Sequence, residues 1–135
     1  MHTRCSAESR TIRYFAATAR FSAHDWQELC DRDKGFTLLT HPGGEPRRVI
    51  AMTNVLHTYE DGVVELAVLV EDAWQSRGLG TALASYALES VRRQGVRALT
   101  ASVMAVNGRA VRMLRRIGAT SCSPPGAEVE YRIDL

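Results

Sequence analysis

No Cys-x-x-Cys spacing, no Gly-Lys-Ser/Thr triplet and no apolar run approaching the roughly 20 residues that cross a bilayer occur in this chain. Each absence removes a class of function. Cys5, Cys30 and Cys122 are an odd and widely spaced set, so neither a disulfide framework nor a zinc site is expected, and a reduced cytoplasmic setting is the default. His2, His24, His41 and His57 share no metal-ligand spacing, and no metal is expected. The missing Gly-Lys-Ser/Thr excludes a P-loop, and the N-terminus has no apolar h-region of a signal peptide. Charge of one sign is not massed either. The formal net charge is +2 with basic residues scattered along the chain, which argues against a nucleic-acid surface and allows modest attraction to an anionic cofactor.

What is present is the balance of a globular protein. The 135 residues, 45% hydrophobic and 24% charged, suit one domain over 1–135 with a normal core, and no repeat, low-complexity tract or linker interrupts them. Residues 1–9 are polar and read as frayed. From Arg10 to Asp33 the pattern is helical but interrupted, with Ser22 or Asp25 as a cap for Trp26 to Cys30. Strands are expected at Phe36–Thr40, Val49–Leu56 and Val63–Val70, the first closed by His41-Pro42-Gly43-Gly44 and the last two joined by a Glu60-Asp61-Gly62 hairpin turn. Gly95 ends a helix, and Val96–Val106 is a strand reached by a crossover, which implies parallel pairing with the central strand. Asn107 caps a helix from Gly108 to Ile117 that stops at Gly118, and after the Ser123-Pro124-Pro125-Gly126 loop the stretch Glu128–Leu135 alternates as a half-buried strand.

The most informative segment is Gln75-Ser76-Arg77-Gly78-Leu79-Gly80. It joins the β-branched run Val63–Val70 to a segment where Leu79, Leu83, Ala87 and Val91 recur at helical spacing. Gly78 and Gly80 let backbone N–H groups converge at the start of that helix, where unpaired donors and the dipole favour phosphate oxygens. A glycine-rich turn with no ligand is the plain alternative. The dinucleotide fingerprint is not met, because the third glycine and the acid after a following strand are both missing.

Gln75, Gly78 and Gly80 match, position by position, the Gln/Arg-x-x-Gly-x-Gly/Ala loop that follows a central strand in the GNAT acetyltransferase superfamily. Asn107-x-x-Ala110 with Leu114 and Gly118 resembles the next motif of that superfamily. The resemblance implies an α/β (α+β) GNAT fold, a mixed and mainly antiparallel sheet with helices on both faces and one central parallel strand pair. Glu8-Ser9-Arg10-Thr11-Ile12-Arg13-Tyr14-Phe15 further resembles the opening of bacterial Pat-type protein lysine acetyltransferase domains, and Val64-Glu65-Leu66-Ala67-Val68-Leu69-Val70 before Asp72-Ala73-Trp74-Gln75 resembles their strand.

Transfer of an acetyl group to an amine needs a base, because at neutral pH only about one lysine in two thousand is uncharged. Glu65 is the candidate. It is the only charge in Val63–Val70, where burial would raise its pKa and suit it to that task. The alternative is an exposed Glu65, or one paired with Arg97 or Arg132. The Pat-type resemblance implies the general base. For acetyl-CoA, the cosubstrate implied, the resemblance assigns Leu69 and Val70 to the pantetheine arm, Gln75, Ser76, Arg77, Gly78, Leu79, Gly80 and Thr81 to the pyrophosphate, and Asn107 to the arm or merely to its helix cap. Arg112 and Arg115 are candidates for the 3′-phosphate, or solvated. Many relatives carry a tyrosine seven residues after the asparagine as proton donor to the thiolate; Leu114 stands there, which excludes tyrosine at that place and admits a non-catalytic acyl-CoA sensor. The expected acceptor is a protein lysine, with a small amine as rival. No nucleic acid or membrane partner is expected, and the oligomeric state is open, a homodimer included.

Overall fold

The computed structural model describes residues 1–15 and 22–135. The elements run α1 (Ala7–Tyr14), α2 (Ala23–Cys30), β1 (Gly35–Thr40), β2 (Ala51–His57), β3 (Val63–Val70), α3 (Leu79–Arg93), β4 (Ala98–Met104), α4 (Gly108–Arg116), β5 (Thr120–Ser121) and β6 (Glu128–Asp134). The six strands form one sheet in the order β1-β2-β3-β4-β6-β5. Every neighbouring pair is antiparallel except β3 and β4, which are parallel as the crossover through α3 requires. The mixed sheet with one central parallel pair is therefore the observed fold.

Strand alternation sorts the side chains onto two layers. Val55, Val64, Leu66, Leu99, Tyr131 and Ile133 face α3 and α4 and join Ala84, Leu88, Val91 and Leu114 in the main core. Leu99, Val91 and Leu114 are at most 1% exposed, so each contributes about 1.5–3 kcal/mol by leaving water. The other face carries Thr37, Asn54, Glu65 and Ala67, with α1 and α2 laid over it.

Helix boundaries follow their caps. Ser22 accepts from the Asp25 N–H while Asp25 accepts from the Ser22 N–H, a capping box that starts α2 at Ala23. Asn107 accepts from the Ala110 N–H at 3.1 Å and starts α4 at Gly108. The helical expectation over Arg10–Asp33 is met by most of α1 and by α2, and its portion at 16–21 lies outside the described residues. The two-residue strand β5 has no sequence signal; its pairing with Tyr131 and Arg132 on β6 creates it.

The first nine residues correct the expectation of a frayed end. A 3-10 turn at His2–Arg4 leads into α1, whose cap is Ser6, and Cys5 is buried. The anchor is Glu71, 4% exposed, which accepts from Arg4 Nε at 2.9 Å and pairs with Arg48 Nη2 at 3.5 Å. Beside it Asp72 accepts from the Ser6 N–H at 3.3 Å. Desolvation works to raise the Asp72 pKa, but hydrogen bonds from Ser6 and Ser9 and the charge of Arg109 outweigh it and hold the carboxyl below its ordinary value. Polar composition hid these contacts because their partners lie more than 60 residues away. Among the described residues, no helix is long and apolar enough to cross a membrane.

The Glu71 anchor makes a prediction. Arg4 and Arg48 are partly exposed and can return to water, so Glu71→Ala is expected to cost about 1–2 kcal/mol, less than the loss of a fully buried pair. Urea denaturation measures it, and an unchanged midpoint would show that the N-terminal clamp adds nothing to stability.

Candidate active site

The parallel ladder between β3 and β4 is short. It pairs Val63 with Ala98, Val64 with Leu99 and Glu65 with Thr100, and stops there. Beyond that point β3 stays with β2 while β4 stays with β6. A groove of about 380 Å³ opens between them, lined by β3, β4, α1, the 75–81 segment and α4.

The register fixes which backbone groups face this groove. Glu71 N–H donates to the Ile50 carbonyl at 2.8 Å, so Ala51 and Val70 are a non-hydrogen-bonded pair and Leu69 is spent on Met52. The groups of Val68 and Val70 therefore point to the β4 side, as that of Gly62 does where it accepts from Arg97. The expectation that Leu69 and Val70 both offer backbone groups to this side is met in direction by Val70 and not by Leu69, whose neighbour Val68 faces it instead; the period of two along the strand is the signal that would have found this. The Val70 carbonyl already accepts from Gln75 Nε2 at 2.9 Å.

The loop out of β3 is held from several sides. Gln75 Nε2 also donates to Ser9 Oγ at 3.1 Å, which ties the loop to α1, and the Gln75 N–H is used by the Asp72 carbonyl. Gln75 thus acts as a brace. Ser76 and Gly78 both have positive φ, 57° and 85°, and flank Arg77 in the kind of backbone that turns N–H groups inward as an anion nest. Intrahelical bonding in α3 begins with Ala82 donating to Gly78, so the N–H groups of Leu79, Gly80 and Thr81 have no partner within the helix.

The two glycines differ. A Cβ on Gly78 would meet nothing within 4 Å, yet the positive φ disfavours any other residue; the space in front of it is open. A Cβ on Gly80 would make ordinary contacts with Met113 Sδ at 3.5 Å and Val70 Cγ2 at 3.9 Å. Gly80 is therefore replaceable by alanine.

Of the sequence candidates, Glu65, Leu69, Val70, Gln75, Ser76, Gly78, Gly80, Thr81 and Asn107 line the groove. Arg77 lies with its guanidinium 4.8 Å above the Trp74 ring and is outside the lining, as is Leu79. Trp74 is accordingly a stacking partner for Arg77 and not a wall of the groove. Arg112 lines it while Arg115 does not.

Glu65 requires a correction. The apolar run around it suggested a buried carboxylate, but Glu65 is exposed to the groove. What covers that sheet face is set by distant elements, which no local pattern reveals. Of the alternatives, the exposed Glu65 is the one observed, and the ion pairs with Arg97 and Arg132 are not formed. Arg132 bonds to Asp134 and Glu60, and Arg97 donates to the Asp61 carbonyl.

Several lining residues escaped the sequence reasoning. α1 contributes Ser9, Ile12, Arg13 and Phe15, and α4 contributes Arg109 and Arg116. Asn54, 1% exposed inside β2, accepts from Arg13 Nη2 at 2.8 Å. A lone asparagine inside an apolar strand was the available signal. Leu114 is fully buried in the core and carries no proton to give.

A split mixed sheet with an anion nest at the end of its free strand edge defines an acyl-transferase scaffold, and the comparisons give the family. The model of the Acetyltransferase (GNAT) family matches residues 6–119, and the chain belongs to that family. The protein is an acetyltransferase of that class. The structure is similar to that of the GNAT domain of S. lividans PAT, 27% identical, covering 98% of this chain and 80% of that one at a TM-score of 0.85. It also resembles yncA of Salmonella typhimurium with its cofactor acetyl-CoA (22% identical, 73% and 64% covered, TM-score 0.63). The ribosomal-protein-alanine N-acetyltransferase of Brucella melitensis is similar as well (20% identical, 93% and 84% covered, TM-score 0.72). At these lower identities the likeness concerns the fold. No curated protein gives a significant sequence match.

The contrast between the glycines is testable. Gly78→Ala is expected to cost about 1–2 kcal/mol through its left-handed backbone, while Gly80→Ala, inside the helix, should be neutral or stabilising by up to about 1 kcal/mol. Denaturant unfolding of both variants reads this directly, and equal costs would contradict the assignment.

Proposed function

We propose that this groove binds acetyl-CoA and passes its acetyl group to an amine by direct attack, with Glu65 as general base and a protein lysine as acceptor. The observation that carries the reading is the coincidence, in one groove, of a free strand edge, an anion nest at its end and a single carboxylate at the point where the ladder stops.

In this reading the pantetheine arm lies between β3 and β4 and pairs with Val68 and Val70 as an added strand would. Leu69 supports that edge through its bonds to β2 and its buried side chain. The N–H groups of Ser76, Arg77, Gly78, Leu79, Gly80 and Thr81 take the pyrophosphate. Gln75 braces the loop, and Arg112 is placed for the 3′-phosphate end. Asn107 keeps α4 beside the arm as its cap.

The chemistry then balances as follows. The acceptor nitrogen forms a bond to the acetyl carbon as the carbon–sulfur bond breaks. The acceptor ammonium first loses one proton to Glu65, which passes it to water; the second leaves the nitrogen for water as the amide forms, and the departing thiolate takes a proton from water, since Leu114 offers none. A proton-accepting role does not require burial; access to the groove is what it needs, and Glu65 has it. N–H groups on the β3 edge polarise the thioester carbonyl.

The acceptor choice rests on two supports. The first is the Pat-type resemblance of Glu8–Phe15 and of the strand around Glu65, together with the likeness to the S. lividans domain. The second is the exposure of Glu65, Ser76, Arg109 and Arg112, which makes the site an open groove. A dedicated polyamine pocket would be closed and acidic, whereas arginines outnumber acids along this groove.

Glu65→Gln is expected to lower kcat by about 10²–10⁴-fold with acetyl-CoA affinity unchanged, followed by mass-spectrometric detection of acetyl transfer to proteins, lysine peptides and small amines. An unaltered rate would remove Glu65 from the mechanism, and saturable acetyl-CoA binding without any transfer would favour a sensor.

A further inference from the structure

The groove holds a cation that acetyl transfer, as described, does not use. Arg13 projects from α1 into the lining, and its Nη2 donates to Asn54 Oδ1 at 2.8 Å. Asn54 Nδ2 donates in turn to Thr37 Oγ1 at 2.9 Å, and Thr37 Oγ1 donates to the Leu29 carbonyl at 2.6 Å. Thr37 and Asn54 are cross-strand partners, so the chain of bonds runs from α2 across β1 and β2 to the guanidinium. Burying an asparagine in a central strand is costly unless each polar group is matched, and here the match fixes Arg13 in place.

The guanidinium itself is under-satisfied. Its Nε is closed off from solvent and has no acceptor, and among the described residues no acid forms an ion pair with Arg13. The remaining contact is the Tyr14 ring, 4.8 Å from its centre. Burial lowers the Arg13 pKa from its ordinary value, against weaker opposing pulls from Tyr14 and Glu65. A half-buried cation that lines a groove, is held by Asn54 and has no carboxylate partner among the described residues is built to receive an anion.

We infer that Arg13 is a carboxylate-binding subsite for the acceptor, so that the acceptor places its amine at Glu65 and a carboxylate of the same molecule at Arg13. This rests on the acetyl-transfer reading of the groove given above. Glu65 and Arg13 then match an acceptor of paired opposite charges, which a polyamine cannot supply. The carboxylate has two sources: an acidic side chain beside a lysine in a protein segment, or the α-carboxylate of a free amino acid.

Four probes separate them: a lysine peptide with a neighbouring glutamate, the same peptide with glutamine, free lysine, and lysine amide. Initial rates by mass spectrometry give KM, and calorimetric titration into CoA-saturated protein gives binding without turnover. The carboxylated member of at least one pair is expected to have a KM and Kd at least about tenfold lower, as for one charge-assisted contact of 1.4 kcal/mol or more. A difference in the peptide pair alone assigns the acidic side chain, and one in the lysine pair alone assigns the amino acid. Arg13→Gln should abolish the difference without changing the KM for acetyl-CoA, and Arg13→Lys should restore part of it. Equal values within both pairs in the wild type overturn the inference, as does an Arg13→Gln variant that weakens all acceptors alike. If no probe is acetylated, the acetyl-transfer reading fails instead, and the calorimetric preference alone decides the role of Arg13.

Discussion

Three residues of parallel pairing, Val63–Glu65 against Ala98–Thr100, join the two halves of the sheet, and the end of that ladder sets the rest of the site. Past it each strand keeps one partner and loses the other. An unpaired inner edge is ordinarily a liability, since its N–H and C=O groups must find water or another chain. Here the edge faces a groove of about 380 Å³, and the loop that leaves β3 lines the same space. The position of Glu65, at the last rung, follows from the same break.

Rigid support for the groove comes in part from residues that do not line it. Glu71 and Asp72 follow β3 directly and bind Arg4, Arg48 and Ser6, so the N-terminal segment clamps the start of the loop. Gln75 ties the middle of the loop to Ser9 and to Val70. The positive φ of Ser76 thus follows directly on a braced residue, which helps a loop of unfavourable backbone to keep its shape.

Much of this was legible in the sequence where the determinant was local. The strand-to-helix passage through Gly78, the Asn107 cap and the Asp61-Gly62 hairpin depend on neighbours a few residues apart, and the structure has them. What was not legible depends on residues far apart. The order of residues 1–9 comes from partners on β3's far end, β5 exists through pairing with β6, and the exposure of Glu65 depends on what covers the sheet face it stands on. The burial first expected for Glu65 was a fair inference from VVELAVLV for a strand covered on both faces, and the groove leaves one face uncovered.

Charge shows the same separation between sequence and space. Along the chain the arginines are dispersed, and the net charge of +2 hardly suggests an anionic ligand. Folding brings Arg13 from α1 together with Arg109, Arg112 and Arg116 from α4 around one groove where, among the described residues, the lining includes a single acid, Glu65. The groove is thus more positive than the chain as a whole, and low-dielectric walls concentrate that field. Its arginines are also divided: those of α4 stand on a helix face open to solvent, where they can follow phosphates, whereas Arg13 is fixed from below by Asn54. A mobile, exposed cation tolerates many anions, and a braced one selects by position. On the readings proposed above, that division would separate a general attraction for a phosphorylated cosubstrate from recognition of one particular group near the reacting amine.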